Sequence, residues 1–263
     1  MQISPHCYAV TGLGYFSPWC VNAGFVAGDT TTLIVDTGTN WMAAQTIHGY
    51  ACAVRPGNRI LAVNTEKHFD HVGGNGFFRD LGIDIYGHAE NQRTAEEFAA
   101  EIAVFNDSTL DRLRRERQEA HAFFHRTELT APNKKLGEET VFDLGGVTAE
   151  VLFTPGHTRT NLSIWIPQER VLYTGDCVVS LYRPNLEAGS SEDWRLWLAS
   201  LDRIEGLRPA FVLGGHGNLL SAVELTTAIE IIRGDLCEAI AQGLSPHQQF
   251  CKQNPDGTKA GYL

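Results

Sequence analysis

The order of strand-like and helix-like segments constrains the fold of this chain more than any other feature of its sequence. Short β-branched runs between Gly, Pro, Asn and Asp predict strands, whereas longer runs with apolar residues on one face predict helices. In both halves of the chain a series of strands is followed by helices, and no linker separates the halves. The predicted strands are Cys7–Thr11, Asn22–Val26, Thr31–Val35, Arg59–Val63, Ile83–Tyr86, Thr140–Asp143, Thr148–Phe153, Leu162–Ile166, Val171–Tyr173 and Ala210–Leu213.

Three predicted helices accompany these strands. Asn40 can cap a helix that runs to about Arg55, Ser190 begins a second, and a third spans Ala222–Ala241. Since each run of strands has its own helices, the sequence predicts an α/β (α+β) architecture. We expect two mixed sheets packed face to face, with helices on the outside.

The segments outside this pattern define the expected domain organisation. A helical pattern continues from Ala89 to about Arg126, and its Arg112–Arg117 cluster is typical of a solvated helix face with paired charges. We expect residues 1–263 to form one domain with a helical insertion at about 89–135. The polar residues at about 249–263 are expected to form a C-terminal tail.

Composition excludes several classes of function. The 21 Lys and Arg residues against 31 Asp and Glu residues give a net charge of −10, which disfavours nucleic acid as a partner. No apolar run approaches the roughly 18 residues of a membrane-spanning helix, and Met1–Pro5 shows no secretion signal. The six cysteines form no C-x-x-C pair and are expected to be buried thiols. We therefore expect a soluble, cytoplasmic protein without a membrane partner.

One short segment is rich in potential metal ligands. Glu66, His68, Asp70 and His71 fall within six residues, directly after the predicted strand Arg59–Val63 and before a pair of glycines. In a tight loop, Glu66 and His68 can face one point while the other two face a second point nearby. The segment therefore predicts a contribution to two metal sites, neither of which it can complete alone.

Three further candidate ligands follow other predicted strands. They are His157, Asp176 and His216, and each lies beside glycine after an apolar run. A single histidine is more often a packed or surface residue than a ligand. Seven suitable residues at strand ends are much harder to explain by chance. The set therefore predicts a metal centre built from several strand ends.

Taken in order, these residues resemble the metallo-β-lactamase superfamily. Its pattern is H-x-H-x-D-H, followed by a distant His, a bridging Asp and a final His, and the likeness covers most of the chain. The resemblance implies a four-layer αββα sandwich. It also implies one site of Glu66, His68 and His157, a second site of Asp70, His71 and His216, and Asp176 as the bridge.

Glu66 departs from the family pattern, because the family usually has histidine at this position. Two histidines and one carboxylate remain a competent metal site. The added negative charge should raise the pKa of a bridging water and favour harder ions. We expect two divalent metal ions, with zinc as the first choice and iron or manganese as alternatives.

The resemblance suggests roles for four more residues. Asp36 would orient the ligand loop by hydrogen bonds, or it is a simple turn residue after a strand. Phe16 and Trp19 would form an apolar wall over the metals, or they pack at a hairpin. Arg183 would present a cation to a substrate carboxylate or phosphate, or it is a solvated loop residue.

The activity that the resemblance implies is metal-dependent hydrolysis. A metal-bound hydroxide would cleave a small thioester, lactone, ester or lactam, and Asp70 would be the catalytic residue that orients the hydroxide and accepts its proton. Two alternatives stay open at this point. The first is a mononuclear iron oxygenase similar to persulfide dioxygenases, and the second is a non-catalytic descendant of the fold. The partner is expected to be a small-molecule substrate, and the oligomeric state is unknown.

Overall fold

The computed structural model describes residues 1–14, 20–105, 126–181, 183–186 and 190–243. Several predictions fall outside these ranges. They concern Phe16, Trp19, the Arg112–Arg117 cluster and the tail at about 249–263.

The strands of the described residues form two sheets of six. The first contains β1 (Cys7–Leu13), β2 (Val21–Ala27), β3 (Thr31–Val35), β4 (Arg59–Val63), β5 (Ile85–His88) and β6 (Lys134–Leu136) in that spatial order. β1 to β3 are antiparallel neighbours, and β3 to β6 are parallel neighbours. The first sheet is therefore mixed, as the sequence predicts.

The second sheet has the order β12-β11-β10-β9-β8-β7. Its strands are β7 (Thr140–Asp143), β8 (Thr148–Phe153), β9 (Leu162–Ile166), β10 (Val171–Gly175), β11 (Phe211–Gly214) and β12 (Leu219–Ser221). Neighbours are antiparallel except for β10 and β11, which are parallel. This sheet is mixed as well.

The described helices are α1 (Trp41–Val54), α2 (Phe69–Val72), α3 (Asn75–Asp80), α4 (Ala95–Phe105), α5 (Ser191–Leu207) and α6 (Ala222–Gln242). Side chains cap the longer ones at their N-termini, but not α2 or α3. The side chain of Asn40 accepts a hydrogen bond from Ala43 N, and Ser190 and Ser221 each begin a capping box. Such caps stabilise a helix by about 1 kcal/mol each.

Apolar side chains divide the molecule into four layers. Leu33 of the first sheet packs in one cluster with Ile164 and Tyr173 of the second, between the sheets. Ile47 of α1 packs on the outer face of the first sheet, and Trp197 of α5 packs on the outer face of the second. The order helix, sheet, sheet, helix is the predicted sandwich. Within the described residues, no helix combines the length and apolar character needed to cross a bilayer.

Two short strands and two short helices were missed by the sequence analysis. β6 and β12 have three residues each, too few for a period-two pattern to show. α2 and α3 lie inside the ligand-rich loop. The segment predicted as a helical insertion at about 89–135 is helical at α4, and its C-terminal end is strand β6. Residues 106–125 lie outside the described part.

Candidate metal centre

The predicted ligands follow strands whose carboxyl ends meet at one edge of the sandwich. β8 and β10 run in the same direction because both are antiparallel to β9, and β11 is parallel to β10. His157, Asp176 and His216, which follow these three strands, therefore emerge at the same end of the second sheet. The loop after β4 brings the other four ligands from the first sheet.

Two glycines allow the ligand loop to pack closely against the turn that follows β3. A Cβ atom at Gly73 would lie 2.1 Å from Thr39 O, and one at Gly74 would lie 2.2 Å from Thr37 O. Because atoms cannot approach so closely, a larger residue at either position would push the loop away. The close approach places α2, which carries two of the candidate ligands, beside the turn after β3.

Glu66, His68 and His157 form the first ligand set. His68 Nδ1 lies 2.8 Å from Glu66 Oε1 and 3.1 Å from His157 Nε2. Glu66 Oε2 lies 3.8 Å from His157 Nε2. Two donors bound to one zinc ion at tetrahedral angles are about 3.3 Å apart. The spacing therefore fits a shared ion.

Asp70, His71 and His216 form the second ligand set. His216 Nε2 lies 3.2 Å from Asp70 Oδ2, and His71 Nε2 lies 4.0 Å from the same oxygen. Asp176 lies between the sets: Oδ1 is 3.3 Å from His71 Nε2, and Oδ2 is 3.4 Å from His216 Nε2 and 3.6 Å from His157 Nε2. Two adjoining sets with a shared carboxylate can hold two cations a few ångströms apart, an arrangement that activates water.

Unpartnered polar atoms show that these residues fit metal ions. Glu66 Oε2, His71 Nε2 and Asp176 Oδ1 are buried and have no hydrogen-bond partner. A buried polar atom without a partner costs about 1–3 kcal/mol, and coordination of an ion would remove that cost. Imidazole nitrogens and carboxylate oxygens are ligands for zinc, iron and manganese.

The three carboxyl groups of the centre are ionised at neutral pH. Burial alone would raise the pKa of each, but neighbouring histidines outweigh it. The pKa of Asp70 falls to about 2, mainly through His71, and that of Asp176 falls well below its usual range, mainly through His216. The pKa of Glu66 is also lowered, mainly through His68. All three groups are thus in the form that binds metal.

Burial lowers the pKa of His157, but the other three histidines compensate these negative charges when no metal is bound. Burial opposes their protonation, but Glu66 raises the pKa of His68 to about 9. Asp176 likewise raises the pKa values of His71 and His216 well above the usual range. Because metal ions bind neutral imidazole, they would displace these protons.

Asp36, in the turn after β3, hydrogen-bonds to His71 and Thr65, and its role toward a metal ligand stays a prediction. Its Oδ2 accepts hydrogen bonds from His71 Nδ1 at 2.9 Å and Thr65 Oγ1 at 2.7 Å, and its Oδ1 accepts one from Thr65 N at 2.7 Å. His71 therefore turns Nε2 toward the ligand cluster.

Main-chain carbonyl groups orient two more histidines. His157 Nδ1 donates to Asn185 O at 3.2 Å, and His216 Nδ1 donates to Cys20 O at 2.9 Å. The Nε2 atoms of both rings face the other ligands in consequence. Sequence analysis missed these contacts because every residue has a carbonyl group, so no residue type marks them.

A buried polar network that sequence analysis also missed supports the backbone of the ligand loop. His71 O accepts hydrogen bonds from Thr37 Oγ1 at 3.1 Å and Asn64 Nδ2 at 3.3 Å. Asn75 Nδ2 donates to Asn64 Oδ1 at 2.9 Å. Asn and Thr are common in turns, so their presence in this loop carries no specific signal.

The structure places one of the three predicted substrate-binding residues. Arg183 Nη1 lies 3.4 Å from Asp235 Oδ1 on α6, and the Arg183 side chain is 64% exposed. Its role toward a substrate stays a prediction. So do the roles of Phe16 and Trp19, which lie outside the described residues.

Two proteins of known name are similar to this chain over most of its length. An acyl-coenzyme A thioesterase MBLAC2 from Gallus gallus is 26% identical over 219 residues, covering 78% of this chain and 75% of that protein. A beta-lactamase-like protein 2 homolog from Caenorhabditis elegans is 22% identical over 201 residues, covering 76% of this chain and 59% of that protein. The match thus spans less than two thirds of the second relative's length.

A family model identifies the superfamily, and a solved structure shares the fold. A solved structure of a metallo-beta-lactamase family protein from Thermus thermophilus has a TM-score of 0.66 at 24% identity, covering 92% of this chain and 82% of that one. The model of the metallo-beta-lactamase superfamily matches residues 18–216, which is well over half of the chain. With the sandwich and the clustered ligands as described, this chain belongs to the metallo-β-lactamase superfamily.

Proposed function

We propose that this protein is a binuclear metal-dependent hydrolase that cleaves small thioesters. The observation that carries the proposal is the pair of adjoining ligand sets with Asp176 between them. The substrate class is supported by relatives that are named as thioesterases, although their sequence identity to this chain is low, at 26% and 28%.

Two divalent ions would be held by the two sets. We propose zinc as the resident ion, with iron and manganese as the alternatives that the Glu66 carboxylate favours. Such a pair supplies an activated water at neutral pH and polarises the carbonyl group of a substrate.

Asp70 is the catalytic residue in this proposal. Its carboxylate is ionised and only 7% exposed, and Oδ2 lies at the second ligand set beside His216 Nε2. From there it can orient the attacking water and accept its proton. Because a thiol has a pKa near 8.5, the departing thiolate needs little assistance from a general acid. A thioester therefore suits a site whose acidic groups are all ionised.

The test is hydrolysis of acyl-coenzyme A thioesters of several chain lengths, measured by thiol release, with elemental analysis of the same sample. We expect about two metal ions per chain, and we expect chelation to abolish thiol release and added metal to restore it. Asp70→Asn should lower kcat by about 100-fold. The exposed Asp80→Asn is the matched control and should leave kcat unchanged.

Other outcomes would select other functions. A single iron ion together with oxygen uptake in the presence of a persulfide would indicate an oxygenase. Failure to bind any metal would indicate a non-catalytic descendant of the fold. Cleavage of a lactam or lactone, with thioesters left intact, would overturn the substrate class alone.

A further inference from the structure

Glu66 contacts both ligand sets, although the family pattern assigns its position to the first set. Its Oε1 lies 2.8 Å from His68 Nδ1 in the first set and 3.3 Å from His71 Nε2 in the second. Its Oε2 lies 3.8 Å from His157 Nε2, again in the first set. One carboxylate oxygen therefore faces donors of both sets.

The contacts of Asp176 follow the same pattern with other histidines. Its Oδ2 lies 3.6 Å from His157 Nε2 in the first set and 3.4 Å from His216 Nε2 in the second. Glu66 lies beside both histidines of the ligand loop, while Asp176 lies beside both histidines that come from the second sheet and also beside His71. Each carboxylate therefore faces histidines of both sets.

The position of Glu66 between the sets is fixed by its surroundings. Its side chain is fully buried, and Oε2 has no hydrogen-bond partner. Its carbonyl oxygen accepts a hydrogen bond from Asn91 Nδ2 at 2.9 Å, and the carbonyl oxygen of Lys67 accepts one from Arg93 Nη1 at 3.2 Å. These contacts hold the loop backbone on the C-terminal side of Glu66.

We propose that Glu66 is a second bridging carboxylate that contacts both metal ions, in addition to Asp176. The proposal rests on the binuclear centre proposed above. A histidine at this position would bind one ion through one nitrogen, so the change from His to Glu alters the second site as well as the first. The centre then has three carboxylates, Glu66, Asp70 and Asp176, and a histidine in place of Glu66 would leave two. The additional carboxylate neutralises more of the charge of the two cations, which favours harder ions such as manganese.

The test compares two variants that each remove one donor from the first set. Glu66→Gln keeps the shape of the side chain and removes its charge. His68→Ala is the matched control, because the donor atoms nearest His68 Nδ1 belong to the first set. Manganese(II) is titrated into each metal-free protein, and the free ion is followed by electron paramagnetic resonance.

We expect His68→Ala to bind one ion at the second set with the affinity of the wild type. Glu66→Gln should bind that ion at least about tenfold more weakly, because a ligand to the second ion is then changed too. If the second ligand set binds manganese(II) with the same affinity in both variants, Glu66 is not a bridging ligand and the proposal is wrong. Circular dichroism of the metal-free proteins verifies that both variants fold.

A crystal structure of the wild type with manganese decides the same point without a variant. We expect a Glu66 oxygen within about 2.0–2.3 Å of each ion, an ordinary metal–oxygen bond length. Contact with the first ion alone would refute the bridge. If the wild type binds two ions and cleaves thioesters in that case, the proposed function stands and only the bridge fails. If the wild type binds no metal, both proposals fail.

Discussion

At the scale of single residues, Asp36 shows how a ligand's orientation depends on a group outside the ligand sets. It lies in the left-handed region at φ 62° and is almost fully buried, after the end of β3. Its two oxygens accept from three donors, on Thr65 and His71. Both oxygens of its carboxyl group therefore hold residues of the ligand loop.

Asp36→Asn should lower metal affinity by about 10- to 100-fold while the protein stays folded. Asparagine tolerates positive φ, but its single oxygen cannot accept all three hydrogen bonds. Competition with a chromophoric chelator measures the affinity. Asp29→Asn, at an exposed position, is the control and should bind metal as the wild type does. If this variant loses as much metal affinity as Asp36→Asn, the effect is unrelated to His71.

At the scale of elements, helix α5 positions the loop that carries His157. Trp197 Nε1 donates to Cys177 O at 2.8 Å, and Ser200 Oγ donates to Pro155 O at 2.6 Å. The indole ring lies against Gly156, where a Cβ atom would be 2.5 Å from Trp197 Cγ. One helix thus holds the loops after β8 and β10 together.

Gly156→Ala should destabilise the protein by about 1–3 kcal/mol, because the buried indole ring has no room to move. It should also weaken metal binding, since the neighbouring His157 would shift. Urea unfolding and metal titration measure the two effects. Gly206→Ala, near the end of α5 where no atom lies within 4 Å, should leave binding unchanged and stability equal or slightly higher.

Ser190→Ala should lower the free energy of unfolding by about 1 kcal/mol. The Ser190 hydroxyl accepts from Asp193 N, and the Asp193 carboxylate accepts from Ser190 N at 2.7 Å. Thermal and urea unfolding give the value. Ser191→Ala, one residue later, is the control and should change stability by less than half as much; equal effects would contradict a cap at Ser190.

At the scale of the whole molecule, the candidate metal centre lies where the two sheets meet. Glu66 and His71 come from the loop after β4, and His157 and His216 follow strands of the second sheet. Asn22 of β2 adds a direct link, because its Nδ2 donates at 3.0 Å to both Gly214 O and Gly217 O. Metal binding should therefore stabilise the packing of one sheet on the other.

Metal removal should lower the melting temperature, and returning the metal should restore it. An ion present at one hundred times its dissociation constant stabilises the folded state by about 2.7 kcal/mol. Differential scanning calorimetry with and without chelator measures the shift. Asp176→Ala, which removes the shared carboxylate, should recover much less on addition of metal; full recovery would contradict its place between the two ions.

The sandwich and its ligands follow from patterns that are local in sequence. Strand and helix positions were predicted to within a few residues for most elements, because the periodicity of apolar residues reports which face is buried. Asn40 and Ser190 were recognised as caps for a similar reason, since a cap acts on a residue three positions away. The three-residue strands β6 and β12 and the short helices α2 and α3 were missed, because so few residues show no clear period.

The sequence by itself determined the superfamily and the kinds and order of the candidate ligands. Only the tertiary structure decided which atoms of residues distant in sequence come into contact. Examples are the contacts of Glu66 with both ligand sets and the main-chain carbonyl partners of His157 and His216. The ion pair of Arg183 with Asp235 is another. Such contacts depend on how the ends of two sheets meet in space, and spacing along the chain does not specify that approach.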